Sequence, residues 1–578
     1  MHRPSRASKF ATTIALAVGL AVAGTASGAD DDDKDLPGAR FFPPGNVIFF
    51  HPDGTAANHW GIARMYYKGL DGSLNWDRMR HMAFYRGHMG NVINGTSNGG
   101  ATTHAFGYKV DGLGSFGKDG DGDLTVPTDK FIFGLSGFGG SIMREAANAG
   151  IPVGVVNDGH IGEPGTGVFL AEVGNRNDWQ EITRQMIQGR PGKRDVDPWV
   201  ILGGGEADTL PKGATLLHRN VNQERGAAAP NGNVSLREDD LNLQAEWNAR
   251  GRGDLSNDPL RFDDYVVLRT RAEFERLRTA LAANPRYAPH VLGLFAFQDL
   301  FNDRNEQDLI NRGFVRAGAP ANAVLPGKAS RLVLRGDFDP AQPGFNPPTF
   351  AEMTQVAITV LDRAARQQQR PEARRFLLVG EPESNDNFGN NDNAIGLLES
   401  MRDTDDAIGI ALDFVRQRPR TLVLTAADSD AGGMQVISPN VSGNPAGTPQ
   451  TNVLAAGRAP DVAGTVGVNP SSTPLVGTTP ASTAVNSFVD GIEGRQSPLF
   501  VTEPDQFGQR MQFGVVWPGT GDYSGGILSR AAGWNARLLN TTFSERFDNV
   551  DVYRMMHLTL FGRLLPYPQA ERAPVRPE

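Results

Sequence analysis

Three clusters of oxygen-bearing side chains stand where short apolar runs end. Phe49-Phe50 passes into His51-Pro52-Asp53-Gly54. The run at 376–379 passes into Glu381, Glu383 and Asp386, with Asn390 four residues on, and the run at 423–425 passes into Asp428-Ser429-Asp430. One acidic residue after a strand commonly caps or turns the chain. Three clusters together suggest more, because carboxylates gathered without Arg or Lys repel one another and a bound cation is the natural compensation. The run Asp119-Gly-Asp-Gly-Asp123 resembles part of a calcium loop, but it lacks the distant bidentate Glu and reads as a solvated turn.

For the three clusters to meet, the runs before them must lie side by side. The segments 46–50, 153–156, 199–202, 291–295, 376–379, 421–425 and 513–517 are short, apolar and read as buried strands. Between or after them, 140–149, 271–283, 350–369, 403–416 and 550–560 carry the three-to-four spacing of helices. That alternation predicts an α/β fold: a three-layer sandwich whose central, mostly parallel sheet is covered on both faces. In such sheets ligands collect at the strand ends. Two polar stretches, 216–258 and 438–496, read as loop-rich insertions outside the sheet, the second rich in Pro, Gly, Ser, Thr and Asn. Surface decoration is the simple reading of both, and a lid or subunit contact is the alternative.

At the N-terminus, Arg3, Arg6 and Lys9 precede an apolar run at 10–24, and Ser27, Gly28 and Ala29 follow it. This is the pattern of a secretory signal peptide over residues 1–29, with cleavage near Ala29. The expected mature chain, 30–578, is one catalytic domain in the periplasm or outside the cell, and no later stretch is apolar enough to span a membrane. The sequence has no cysteine, which excludes disulfides and thiolate metal ligands. A formal charge of -9 leaves no basic footprint, so a stable nucleic-acid complex is not expected.

In order and spacing, several segments resemble the alkaline phosphatase family over nearly the whole mature chain. NVIFFHPDGTA is similar to the family's opening strand and metal loop, which implies that Asp53 is a bridging ligand. GTSNGGATTHAFGYK is similar to the nucleophile segment and puts Ser97 at the serine phosphorylated in turnover. DGHIGEPGTGVFLAEVGNR implies an acidic ligand at Glu163 and a phosphate-gripping arginine at Arg176. EPESND implies Glu381 as a magnesium ligand and Asp386 as a zinc ligand, and LVLTAADSD implies Asp428 as another. The chemistry suits these types: a metal lowers the pKa of a serine hydroxyl, and a guanidinium matches two phosphoryl oxygens at once. A helix beginning near Gly100 would turn its positive end to the same anion.

The resemblance departs from the family where zinc should bind. The three zinc histidines fall on Asn390, Ser429 and about Gln506; the acidic neighbour of the nucleophile is Thr96; and the magnesium-site threonine falls on Gly165 unless one residue of slippage brings in Thr166. Oxygen donors of this kind suit magnesium or calcium, with manganese or zinc left open. His51 and the other histidines near these segments read as packing or surface residues. His104 and His160 are the exceptions, as candidates for phosphate binding, acid–base work or, if zinc is held, ligation. The implied activity is a metal-dependent phosphomonoesterase acting on a small phosphate ester, with a homodimer left open as its assembly. A phosphodiesterase or other ester hydrolase on the same fold, and a catalytically silent binding protein, are the competing readings.

Overall fold

The computed structural model describes residues 42–120, 130–190, 196–220, 232–256, 263–303, 346–437, 500–543, 546–569 and 573–577, together with the backbone of the short pairs 453–454, 490–491 and 494–495. The segment 1–29, expected to be a signal peptide, and most of 438–496 lie outside the described residues.

Ten strands form the principal sheet. They are β1 (Asn46–Phe50), β2 (His81–Arg86), β3 (Val153–His160), β4 (Val200–Gly204), β5 (Tyr265–Leu268), β6 (His290–Leu294), β7 (Leu377–Glu381), β8 (Thr421–Thr425), β9 (Leu528–Gly533) and β10 (Phe547–Asp548). Their order is β10-β2-β9-β8-β1-β7-β3-β4-β6-β5, and β9 runs against its neighbours while the other pairings are parallel. β1 lies between β8 and β7, with Phe50 in register with both Thr425 and Gly380, and Asn157 of β3 in register with Glu381. The three clusters therefore emerge side by side from one edge of the sheet.

Alternate side chains of each central strand enter opposite layers. Val47, Phe49, Leu377, Val379, Leu422 and Leu424 join one core, and Ile48, Phe50, Leu378 and Val423 join the other. Helices cover both, so each strand is buried on two faces and its continuous apolar run follows. Burying one such Phe or Leu contributes about 1.5–3 kcal/mol. The helix Leu243–Asn248 adds Leu243 and Trp247 to the first core.

One expected strand lies elsewhere. The run at 513–517 falls in Arg510–Val516, which pairs antiparallel with Gln435–Ile437 in a separate small sheet. A short apolar run reads alike in either setting, since periodicity carries no information about the partner. Strands β2, β9 and β10 carry no such run; β5 (YVVL) carries one of only four residues, and the sequence pattern did not single it out.

Candidate functional site

The turn after β1 is tight. Gly54 has φ +58°, and a Cβ there would lie 2.5 Å from both Asp386 Oδ1 and the Ala431 methyl, so glycine is required twice over. Its N–H donates to Asp53 Oδ1 (2.9 Å) and faces Asp428 Oδ1 (3.3 Å). Asp53 thereby stands between the ends of β7 and β8.

Two sets of donor atoms share it. Those of His51, Asp53 and Glu381 fall within 4.8 Å of one another, as do those of Asp53, Glu383 and Asp386. All five residues are buried, and Asp53 Oδ2, Glu383 Oε2, Asp428 Oδ2 and His51 Nε2 have no hydrogen-bond partner. Buried polar atoms are normally paired, so orphaned oxygens in and beside these two sets fit divalent cations. Glu381 is the best held: Gly165 N–H (2.7 Å) and Asn157 Nδ2 (2.5 Å) donate to it, and Thr166 Oγ1 lies 3.1 Å from its Oε2.

The electrostatics express the crowding. Burial, then neighbouring charge, pushes Glu383 and Asp386 well above the usual carboxylate range, and burial does the same to Glu163 against the pull of Arg176. Glu381 is pushed up to about 7 and Asp428 to about 6, burial being the largest cause in each. Burial would also raise Asp53, but Asp428 and His51 outweigh it and hold that carboxyl at about 2. Burial disfavours a cationic His51, yet Asp428 and Asp53 raise its imidazole to about 10. A bound cation relieves the same repulsion.

Ser97 opens the helix Ser97–Phe106, three residues earlier than the sequence suggested. Thr96 is its cap: Thr96 Oγ1 accepts from Gly99 N–H (3.2 Å) and donates to Gly112 O (2.7 Å). Gly107, at φ +79°, ends it. A Cβ on Gly100 would lie 2.6 Å from Asp428 Cβ, and one on Gly95 2.1 Å from Asp428 O. The first turn thus lies directly on the Asp428 loop. Arg176 Nη2 is 3.5 Å from Glu163 Oε2. Burial opposes its charge, but Glu163, Glu383, Asp53 and Asp386 all favour it, which sets the guanidinium in the field of this centre.

Asn390 turns its amide nitrogen to the carboxylates, donating to both oxygens of Asp386 (3.1 and 3.0 Å) and to Asp522 Oδ1 (3.1 Å), because its Oδ1 accepts Gly432 N–H (3.0 Å). Gln506 does not reach this region; it lies on an exposed turn with its N–H on Asp71. Asp522 stands beside Asn390 instead, brought there by the antiparallel pairing of Asp522–Tyr523 with Asp430–Ala431. His160 is engaged at both nitrogens, by Asp208 Oδ2 (3.0 Å) and Gly162 N–H (2.9 Å). His104 is engaged by His51 Nδ1 (3.2 Å) and the Tyr85 hydroxyl (2.7 Å). The histidine facing these carboxylates is His51, not a packing residue as its sequence context suggests. Its place in a strand-end cluster was the available signal; Asp522 had none, since only a long-range pairing brings it in.

A carboxylate-lined centre at the C-terminal edge of a parallel α/β sheet is an arrangement suited to metal-using hydrolases. The model of the family described as Alkaline phosphatase matches residues 45–487, and the chain belongs to that family. Membership makes it a phosphoesterase-type hydrolase, from a family that uses divalent metals and acts on small phosphate esters. The fold is similar to that of Thermus thermophilus alkaline phosphatase (16% identity, TM-score 0.53, 90% of this chain and 92% of that one). It is also similar to alkaline phosphatase from the Antarctic bacterium TAB5 (16% identity, TM-score 0.51, 90% and 99%). Comparison with curated protein sequences returns no match. No helix among the described residues is long and apolar enough to cross a membrane.

Proposed function

We propose that this chain is an exported, divalent-metal-dependent phosphomonoesterase that passes the phosphoryl group through Ser97. The observation that carries the reading is the sharing of buried Asp53 by two donor sets with orphaned oxygens. Asp53 would serve both cations; Glu381, Thr166 and Glu163 would hold one and Glu383, Asp386 and Asp428 the other, with Asn390 orienting Asp386 and Asp522. When bound, divalent cations supply charge neutralisation and Lewis-acid polarisation. Ser97 Oγ attacks phosphorus as the ester P–O bond breaks and the alcohol departs. Water then breaks the Oγ–P bond and releases inorganic phosphate. Arg176 holds two phosphoryl oxygens through both steps, which favours a monoester over a diester. Export rests on the charged, apolar and small-residue order of residues 1–29.

The donor set is almost entirely oxygen, so hard cations should be preferred. After chelation, magnesium, calcium or manganese should restore turnover and zinc alone should restore it poorly. Monoesters should turn over faster than matched diesters. About two tightly held zinc ions per chain, with zinc alone restoring activity, would contradict the metal assignment, and faster diester turnover would overturn the substrate class.

A further inference from the structure

His51 has no part in the phosphoryl transfer just described. Its ring is fully buried (0% exposed), and its unpartnered Nε2 lies 3.5 Å from Asp53 Oδ1 and 3.7 Å from Asp428 Oδ1. Those separations are too long for hydrogen bonds, yet His51 belongs to the 4.8 Å donor set with Asp53 and Glu381. The other side of the ring is held firmly. His51 Nδ1 is 3.2 Å from His104 Nδ1, and His104 Nε2 is 2.7 Å from the Tyr85 hydroxyl. Phe49 meets both imidazoles edge-on, with centroids 6.2 Å and 5.3 Å away.

We propose that His51 is a nitrogen ligand of the cation held by Asp53 and Glu381, and that Tyr85 and His104 fix its tautomer. This rests on the reading of the carboxylate cluster as a cation centre. With both imidazoles neutral, as ligation requires, the chain of rings permits two proton arrangements. If the Tyr85 hydroxyl donates to His104 Nε2, His104 Nδ1 carries hydrogen toward His51 Nδ1, and the His51 proton must sit on Nε2, facing the carboxylates. If His104 Nε2 donates to Tyr85, His51 Nδ1 donates to His104 and Nε2 presents its lone pair. Ligation selects the second arrangement, in the manner of the outer partners that commonly orient metal-binding histidines. The two positions sharing Asp53 are then unequal. The Asp53–Glu383–Asp386 set is all oxygen and suits magnesium or calcium, whereas an imidazole draws the other toward manganese or zinc.

The test is titration of Mn2+ into the full chain stripped with chelator, read by pulsed electron paramagnetic resonance and by calorimetry. Wild type should show nitrogen modulation from a directly bonded imidazole. His51→Gln should lose it and bind Mn2+ at least about tenfold more weakly, and Tyr85→Phe should keep it with affinity reduced about 10- to 100-fold. Mn2+ bound by wild type without nitrogen coupling, or coupling that survives His51→Gln, overturns the assignment of His51 while leaving the cation centre standing. Failure of folded wild type to bind Mn2+ overturns both. The wild-type spectrum decides the point even if His51→Gln does not fold, and circular dichroism identifies that case.

Discussion

Arg176 and Glu206 show how a charge behaves inside and outside the centre. Arg176 sits beside Glu163 in the field of several carboxylates, and its proposed task is to hold two phosphoryl oxygens. Arg176→Ala removes two charge-assisted hydrogen bonds, each worth about 1.5–3 kcal/mol, so inhibition by inorganic phosphate should weaken at least tenfold, by roughly one decade per 1.4 kcal/mol. An unchanged inhibition constant would count against the assignment of Arg176 and Glu163 together. Glu206 is fully buried, with His218 N–H and ring Nδ1 each 2.9 Å away and Arg269 Nη1 at 3.3 Å. Burial would raise its carboxyl, but His218 outweighs burial and holds it below the ordinary glutamate value. A depressed folded pKa gives stability that is fully present above about pH 4.3 and lost as pH falls through the folded value. Glu206→Gln should therefore lower stability by about 1–3 kcal/mol at pH 7, with the gap to wild type closing in acid; thermal melts across pH 3–8, on the order of five steps, follow it. A gap that widens in acid would mean the sign is wrong. Among single residues, Asp53, Glu381, Asp386 and Asp428 were legible because each ends its strand or follows it within a few positions. Asp522 was not, because the partners that bring it in, Ala431 and Asn390, lie 91 and 132 residues back along the chain.

The helix Ser97–Phe106 is the element on which the proposed catalysis depends. All ten residues are buried, so no polar face marks it and the sequence carries no amphipathic stripe, only a cap at Thr96 and a stop at Gly107. This explains why its start was read near Gly100. Its seat on Asp428 needs the bare α-carbon of Gly100. Alanine there would gain about 1 kcal/mol of helix propensity, but the overpacking costs about 1–3 kcal/mol and the clash should win. Gly100→Ala should shift Ser97 against the centre and lower kcat about tenfold to a hundredfold with a small change in Tm. Unchanged kcat would show that the Asp428 loop yields without moving the serine. Strands β1 and β8 were read with their observed limits, since burial on both faces writes a continuous apolar run. β2 (HMAFYR) and β9 (LSRAAG) were not: Phe84 is 65% exposed in the one, and small or charged residues make up most of the other.

At the scale of the molecule, the ten-stranded sheet brings residues from 51 to 428 to one edge, chiefly through the parallel pairing of β8, β1, β7 and β3, and the separate ladder of Asp522–Tyr523 with Asp430–Ala431 adds Asp522. The three-layer fold was legible from alternation alone, because parallel strands and their covering helices each leave a distinct period. The make-up of the centre was legible in part: local motifs supplied its oxygens, while the imidazole of His51 and the carboxylate of Asp522 depend on contacts that form only when the sheet closes. The assembly is proposed to move a phosphoryl group through one serine. The direct measurement is mass spectrometry of the metal-loaded protein quenched in acid during turnover of a phosphate monoester. One phosphoryl group should be found on Ser97, absent from Ser97→Ala, whose turnover should fall at least about a thousandfold with its circular dichroism unchanged. Phosphate on Thr96, Thr102 or Thr103 instead, or wild-type turnover by Ser97→Ala, would contradict it.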